Sequence, residues 1–114
     1  MTVDTLTGDL YLLFMARRKA HIPAAVARAV YARDGRRCLY CGALAPLTLD
    51  HVLPEAKEGQ PVAHNLVVAC GPCNEEKHVT PLDLFAVMLE RAGKGRASAI
   101  LARVVNHLLR SRPR

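Results

Sequence analysis

Residues 38–78 read CLYCGALAPLTLDHVLPEAKEGQPVAHNLVVACGPCNEEKH, and this stretch decides the fold. It holds all four cysteines of the chain, as two Cys-x-x-Cys pairs, Cys38/Cys41 and Cys70/Cys73. A two-residue spacer lets both thiolates of a pair turn toward one ion. Two such pairs complete a closed tetrahedral site, the structural zinc arrangement that leaves no coordination position open for chemistry. The alternatives for these residues are four free buried thiols or two disulfides. The gap between the pairs is longer than in a simple zinc ribbon. It contains an expected strand, Leu47-Thr48-Leu49, running into Asp50-His51. A polar loop with Pro54, Gly59 and Pro61 follows, then a valine-rich strand over Asn65–Ala69. Zinc would tie the base of this hairpin to a helix opening at Asn74, and its binding energy is folding energy.

Working outward, Ile22-Pro23 precedes an expected helix over Ala24–Arg33, with proline at its first position and Asp34-Gly35 ending it. Further upstream, the apolar run Tyr11–Met15 fits a helical turn or a buried strand. Downstream, Thr80-Pro81-Leu82-Asp83 starts a helix to about Arg91, with Thr80 as cap, Pro81 first and Asp83 near the positive end. Gly93 and Gly95 punctuate the chain before a last helix over Ser98–Arg110. There Ile100, Leu101, Val104, Val105, Leu108 and Leu109 recur at helical spacing as a core face. Arg103, Asn106, His107 and Arg110 fall on the other face, toward nucleic acid or water. The expectation is one α+β domain over 1–114, with a core at 22–80 and a C-terminal helical extension at 81–114.

Composition narrows the function. Half the residues are hydrophobic and tryptophan is absent, so Leu, Val, Ile and Ala must build a modest core that a metal staple supplements. The net charge is +6. Arg17, Arg18, Lys19, Arg28, Arg33, Arg36 and Arg37 cluster before the first knuckle, and seven more basic residues follow Glu90 with no acid among them. Arginine forks fit phosphate oxygens, so this pattern favours a polyanionic partner over a merely solvated face. No apolar run approaches the ~20 residues that span a bilayer. Asp4 and Asp9 before the short run Leu10–Met15 argue against a signal peptide. The expected location is cytoplasmic, where reduced thiols favour metal over disulfide.

Between and beside the knuckles stand LDHVLP, HNLVVAC and CNEEKH. The combination resembles the HNH endonuclease family with cysteine knuckles, a branch of the ββα-metal (His-Me finger) nucleases, over roughly residues 22–80. The resemblance implies an α+β fold, a zinc-stabilised ββα core flanked by helices, that hydrolyses DNA phosphodiesters to 5′-phosphate and 3′-hydroxyl ends. Such chemistry needs an activated water, charge stabilisation on the phosphate and help for the departing oxygen. A neutral imidazole can take the water's proton near neutral pH, and His51 matches the family's general base. A hard divalent ion, Mg²⁺ or Mn²⁺, neutralises the phosphate and the leaving oxygen. By resemblance its ligands are Asp50 and Asn74.

Asn65 matches the middle asparagine, expected to bond across the loop and hold His51 in orientation. Lys77, one turn beyond Asn74, is expected at a phosphate, with Arg36, Arg37 and His78 as further DNA contacts. His78 stands where the family often has a small residue. Two alternatives remain: a non-catalytic zinc-dependent nucleic-acid-binding module, and the nuclease subunit of a restriction, phage or toxin system. The apolar N-terminal run and the last helix would serve a homodimer or an accessory protein.

Overall fold

The structure is a computed structural model and describes residues 22–113; the upstream run at Tyr11–Met15 and the basic residues 17–19 lie outside the described residues. Helix α1 spans Ala24–Asp34, strand β1 Leu47–His51 and strand β2 Leu66–Cys70. Helices α2 (Gly71–Lys77), α3 (Leu82–Arg91) and α4 (Ala97–Leu109) follow. Two short 3-10 turns, Glu55–Lys57 and Ala63–Asn65, lie in the loop between the strands. The result is a small α+β fold around a two-stranded antiparallel sheet. Among the described residues no helix is long and apolar enough to cross a membrane.

Helix α1 ends as its sequence requires. Gly35 takes the left-handed conformation (φ 74°) and its amide donates to the Tyr31 carbonyl, a conformation that costs glycine nothing. The strands pair from Leu47 opposite Cys70 to His51 opposite Leu66. The hairpin therefore carries a knuckle cysteine at one end and His51 at the other.

All five residues of β2 are buried, because helices cover both of its faces. Leu66 and Val68 pack with Val30 of α1. Val67 and Ala69 pack with Phe85, Ala86 and Leu89 of α3 and with Ile100 and Val104 of α4. A strand buried on both sides has no reason to alternate, which is why LVVAC reads as a continuous apolar run. Helices α3 and α4 thus share their core with the knuckle residues Cys38, Leu39 and Tyr40. The Tyr40 and Phe85 rings meet edge to face, with centroids 5.1 Å apart.

Several local expectations change, among them Pro23, which stands at the N-cap of α1 and not at its first position. Strand β2 starts at Leu66, because Asn65 closes the 3-10 turn before it. Helix α2 starts at Gly71, three residues before Asn74, because the Cys70 sulfur takes the cap and accepts from the Cys73 amide. Thr80 does not cap α3; Pro81 occupies that position with no side-chain cap bond. In α4 the buried stripe is narrower than its apolar pattern, with Val105 and Leu109 41% and 50% exposed.

Several charged side chains bond back onto the fold. The buried Asp34 carboxylate meets Arg33 Nε at 2.7 Å and His107 Nδ1 at 2.9 Å, and it accepts from the Val68 amide at 2.9 Å. Arg33 also donates to the carbonyls of Ala63 and Leu66. Arg103 donates to the Leu39 carbonyl at 2.7 Å. These side chains brace α1, β2, α4 and the first knuckle against one another.

Candidate active site and metal centre

The four sulfurs of Cys38, Cys41, Cys70 and Cys73 lie within 4.8 Å of one another, and three of these residues are buried. Cys41 Sγ and Cys70 Sγ are 3.7 Å apart. That is far from the ~2.05 Å of a disulfide. It is close to the ~3.8 Å edge of a tetrahedron whose metal–sulfur bonds are ~2.3 Å. The amides of Cys41 and Cys73 donate to the sulfurs of Cys38 and Cys70, each at 3.4 Å, as in a turn that presents thiolates. The Cys73 thiol, hydrogen-bonded to Cys38, holds Cys38 down to about 4, while the same contact pushes Cys73 far up. One thiolate is favourable in the cluster while Cys41 and Cys73 resist ionisation, so a cation is what the full donor set calls for. The residues fit a closed, structural metal site.

The far end of the hairpin meets α2 at an open cleft of about 350 Å³. Asp50, His51, Asn74, His78 and Glu55 line it, with Glu75 at the helix surface. Adjacent residues on a strand point apart, and Asp50 and His51 use this difference. Asp50 is 4% exposed. Its Oδ2 accepts from the Tyr40 hydroxyl at 2.5 Å and lies 3.3 Å from Lys77 Nζ. Its Oδ1 has no hydrogen-bond partner among the described residues. Burial pushes the Asp50 carboxyl above its ordinary range, opposed by the Lys77 ammonium and the Tyr40 hydroxyl. His51 Nε2 faces Glu55 Oε1 at 3.3 Å. Asn74 sits half-buried in the middle of α2, across the cleft.

Asn65 bonds across the loop. Its Oδ1 accepts from the Leu53 amide at 2.8 Å, and its Nδ2 donates to the carbonyls of Leu53 and Gln60, both at 3.0 Å. Its own carbonyl accepts from the Val52 amide at 2.8 Å, directly after His51. Gly59 closes the same loop. A Cβ there would lie 1.6 Å from the Leu53 carbonyl oxygen, so only glycine fits.

Lys77 has a different place from the one expected. It is fully buried, and its ammonium donates to the carbonyls of His51 and Val52 at 3.2 and 3.1 Å besides facing Asp50. In this structure it supports the cleft from behind, its ammonium turned to these acceptors and away from solvent. His78 is exposed at the cleft rim with φ 44° and ψ −114°, a backbone strained for a side-chain-bearing residue. Arg36 and Arg37 are exposed after α1, with Arg36 over the Tyr31 ring at 5.6 Å. They stand on α1's C-terminal turn and do not line the cleft.

Two residues of the site were not singled out from the sequence. Tyr40 carries a hydroxyl inside a knuckle where a plain apolar residue would pack equally well, which is a readable signal. Glu55 follows His51 by four residues across Pro54, and only the turn brings the two together.

Residues 38–80 match the HNH endonuclease family. The CRISPR-associated endonuclease Cas9 of Corynebacterium diphtheriae is 37% identical over 60 residues, which is 47% of this chain and 5% of that protein. The Type II-C Cas9 enzyme from Actinomyces naeslundii has a crystal structure similar to this one, with a TM-score of 0.50 and 25% identity. That likeness covers 76% of this chain and 11% of the other. The chain therefore spans only a small part of the length of either relative.

Proposed function

Because the chain belongs, through residues 38–80, to the HNH endonuclease family, we propose that it is a metal-dependent DNA endonuclease that hydrolyses phosphodiester bonds in its hairpin–helix cleft. The observation that supports this most is the meeting of Asp50, His51 and Asn74 on one open cavity, large enough for a backbone phosphate. His51 takes the proton of the attacking water, with the Glu55 carboxylate 3.3 Å from Nε2. Asp50 and Asn74 offer oxygens suited to a hard divalent ion such as Mg²⁺ or Mn²⁺. Such an ion, when bound, supplies neutralisation of the phosphate and of the departing 3′ oxygen. Asn65 holds the segment after His51 by its bonds to Leu53 and Gln60.

The four thiolates are proposed to hold zinc, with a structural role only. Arg36, Arg37 and His78 are proposed to meet DNA, through phosphates and groove shape more than base edges. The test is plasmid nicking by purified protein with Mg²⁺ or Mn²⁺. General-base catalysis contributes about 10²–10⁴-fold, so His51→Ala is expected to lose at least about a hundredfold in rate with an unchanged circular dichroism spectrum. A wild-type protein that cuts no DNA across a metal, pH and substrate screen would refute the assignment.

A further inference from the structure

The sulfur cluster and the cleft lie at opposite ends of the hairpin, yet one side chain joins them. Tyr40 sits between Cys38 and Cys41, is fully buried, and donates its hydroxyl to Asp50 Oδ2 at 2.5 Å. Lys77, from the last turn of α2, approaches the same oxygen at 3.3 Å and also holds the His51 and Val52 carbonyls. An ionised carboxylate has two oxygens to use. Here one is committed to the protein, and Oδ1 has no protein partner among the described residues. From this geometry we infer that Tyr40 and Lys77 are positioning residues for the divalent ion of the cleft: they fix Asp50 so that Oδ1 is presented to the ion, and the sulfur-bound knuckle thereby sets the geometry of the site. The inference rests on the reading of Asp50 as a metal ligand.

The packing supports it. The Tyr40 ring meets Phe85 edge to face inside the buried cluster it shares with Cys38 and Leu39, so the hydroxyl has little freedom except toward Asp50. Deleting the hydroxyl would let the carboxylate rotate and would leave Oδ2 with Lys77 alone. Groups that orient a metal ligand in this way typically change affinity by about 10–100-fold when removed.

The experiment is Mn²⁺ titration of the full chain by electron paramagnetic resonance, without DNA, for wild type, Tyr40→Phe, Lys77→Met and the control Asp50→Asn. Zinc content and melting temperature are measured on the same samples. Tyr40→Phe is expected to keep its zinc and melt close to wild type while binding Mn²⁺ at least about tenfold more weakly. Lys77→Met reaches the same oxygen from outside the knuckle, so it carries the test should Tyr40→Phe lose zinc, and the same weakening is expected. Unchanged Mn²⁺ affinity in a folded, zinc-loaded variant overturns the inference. So does a wild type with no Mn²⁺ site that Asp50→Asn removes. A wild type that binds Mn²⁺ through Asp50 and is weakened by Tyr40→Phe, yet cuts no DNA, leaves the inference standing and refutes only the nuclease reading.

Discussion

Asn65 is the residue at which fold and proposed catalysis can be separated most cleanly. Its side chain makes three hydrogen bonds, two to Leu53 and one to Gln60, closing the loop that starts beside His51. A hydrogen bond contributes a net 0.5–1.5 kcal/mol or so, and water can partly replace these three, so Asn65→Ala is expected to cost about 2 kcal/mol. For a domain near this size that corresponds to a fall of roughly 8–15 °C in Tm. The loss should be local, appearing as faster hydrogen exchange at the Val52, Leu53 and Gly59 amides while β2 stays protected.

The isosteric variant Asn65→Asp sharpens the test. Its carboxylate still accepts from the Leu53 amide but now faces two carbonyl oxygens, so the folded-state pKa must rise above the unfolded one. The penalty is then full above the folded pKa and shrinks as the pH falls through it, when one oxygen becomes a donor. Melting with zinc in excess, over a pH series, measures both variants. If Asn65→Ala melts with wild type, or Asn65→Asp shows no recovery in acid, the loop is not held as described. If both destabilise but neither lowers the nicking rate below saturation-corrected wild type, Asn65 does not support His51.

Two further outcomes follow from the same structure. Stripping zinc with a chelator after blocking released thiols should unfold the chain, because apparent binding energies of about 10–16 kcal/mol in zinc-finger peptides match or exceed the ~5–15 kcal/mol stability of a small domain; a native far-ultraviolet spectrum without metal would refute a structural zinc. The double variant Arg36→Ala with Arg37→Ala should lower the slope of log affinity against log salt by about 2 on duplex DNA, read by fluorescence anisotropy in a His51→Ala background; an unchanged slope would remove this turn from the DNA footprint.

Much of the fold was legible in one dimension because its strongest signals are local. Two cysteine pairs, the glycine after α1 and the valine run of β2 each dictate backbone or burial within a few residues. Helix α2 began earlier than its sequence suggests because a cysteine sulfur served as the cap, a role that propensity reserves for oxygen-bearing side chains. The charged residues were harder. Arg33 looks like a footprint arginine in a basic chain, but its fork holds carbonyls and Asp34, and the exposed Arg103 spends one nitrogen on the Leu39 carbonyl. A periodic pattern says which face a residue occupies. It does not say whether a buried acceptor waits opposite that face.

Lys77 shows how that difference decides a role. Standing three residues after Asn74, it shares a side of α2 with it, and this much the spacing predicts. That side, however, packs on the hairpin, and a buried ammonium is tolerable only if its three donors are matched. Asp50 Oδ2 and the carbonyls of His51 and Val52, at 3.1–3.3 Å, are three acceptors for three donors. A lysine reaching out to a phosphate would leave Asp50 buried with Tyr40 as its one partner and both carbonyls without this donor. The cost of that arrangement falls on the same two residues proposed to do the chemistry. The lysine therefore serves the cleft better from behind than from within, and the proposed phosphate contact falls to side chains that water already reaches, such as His78 at the rim.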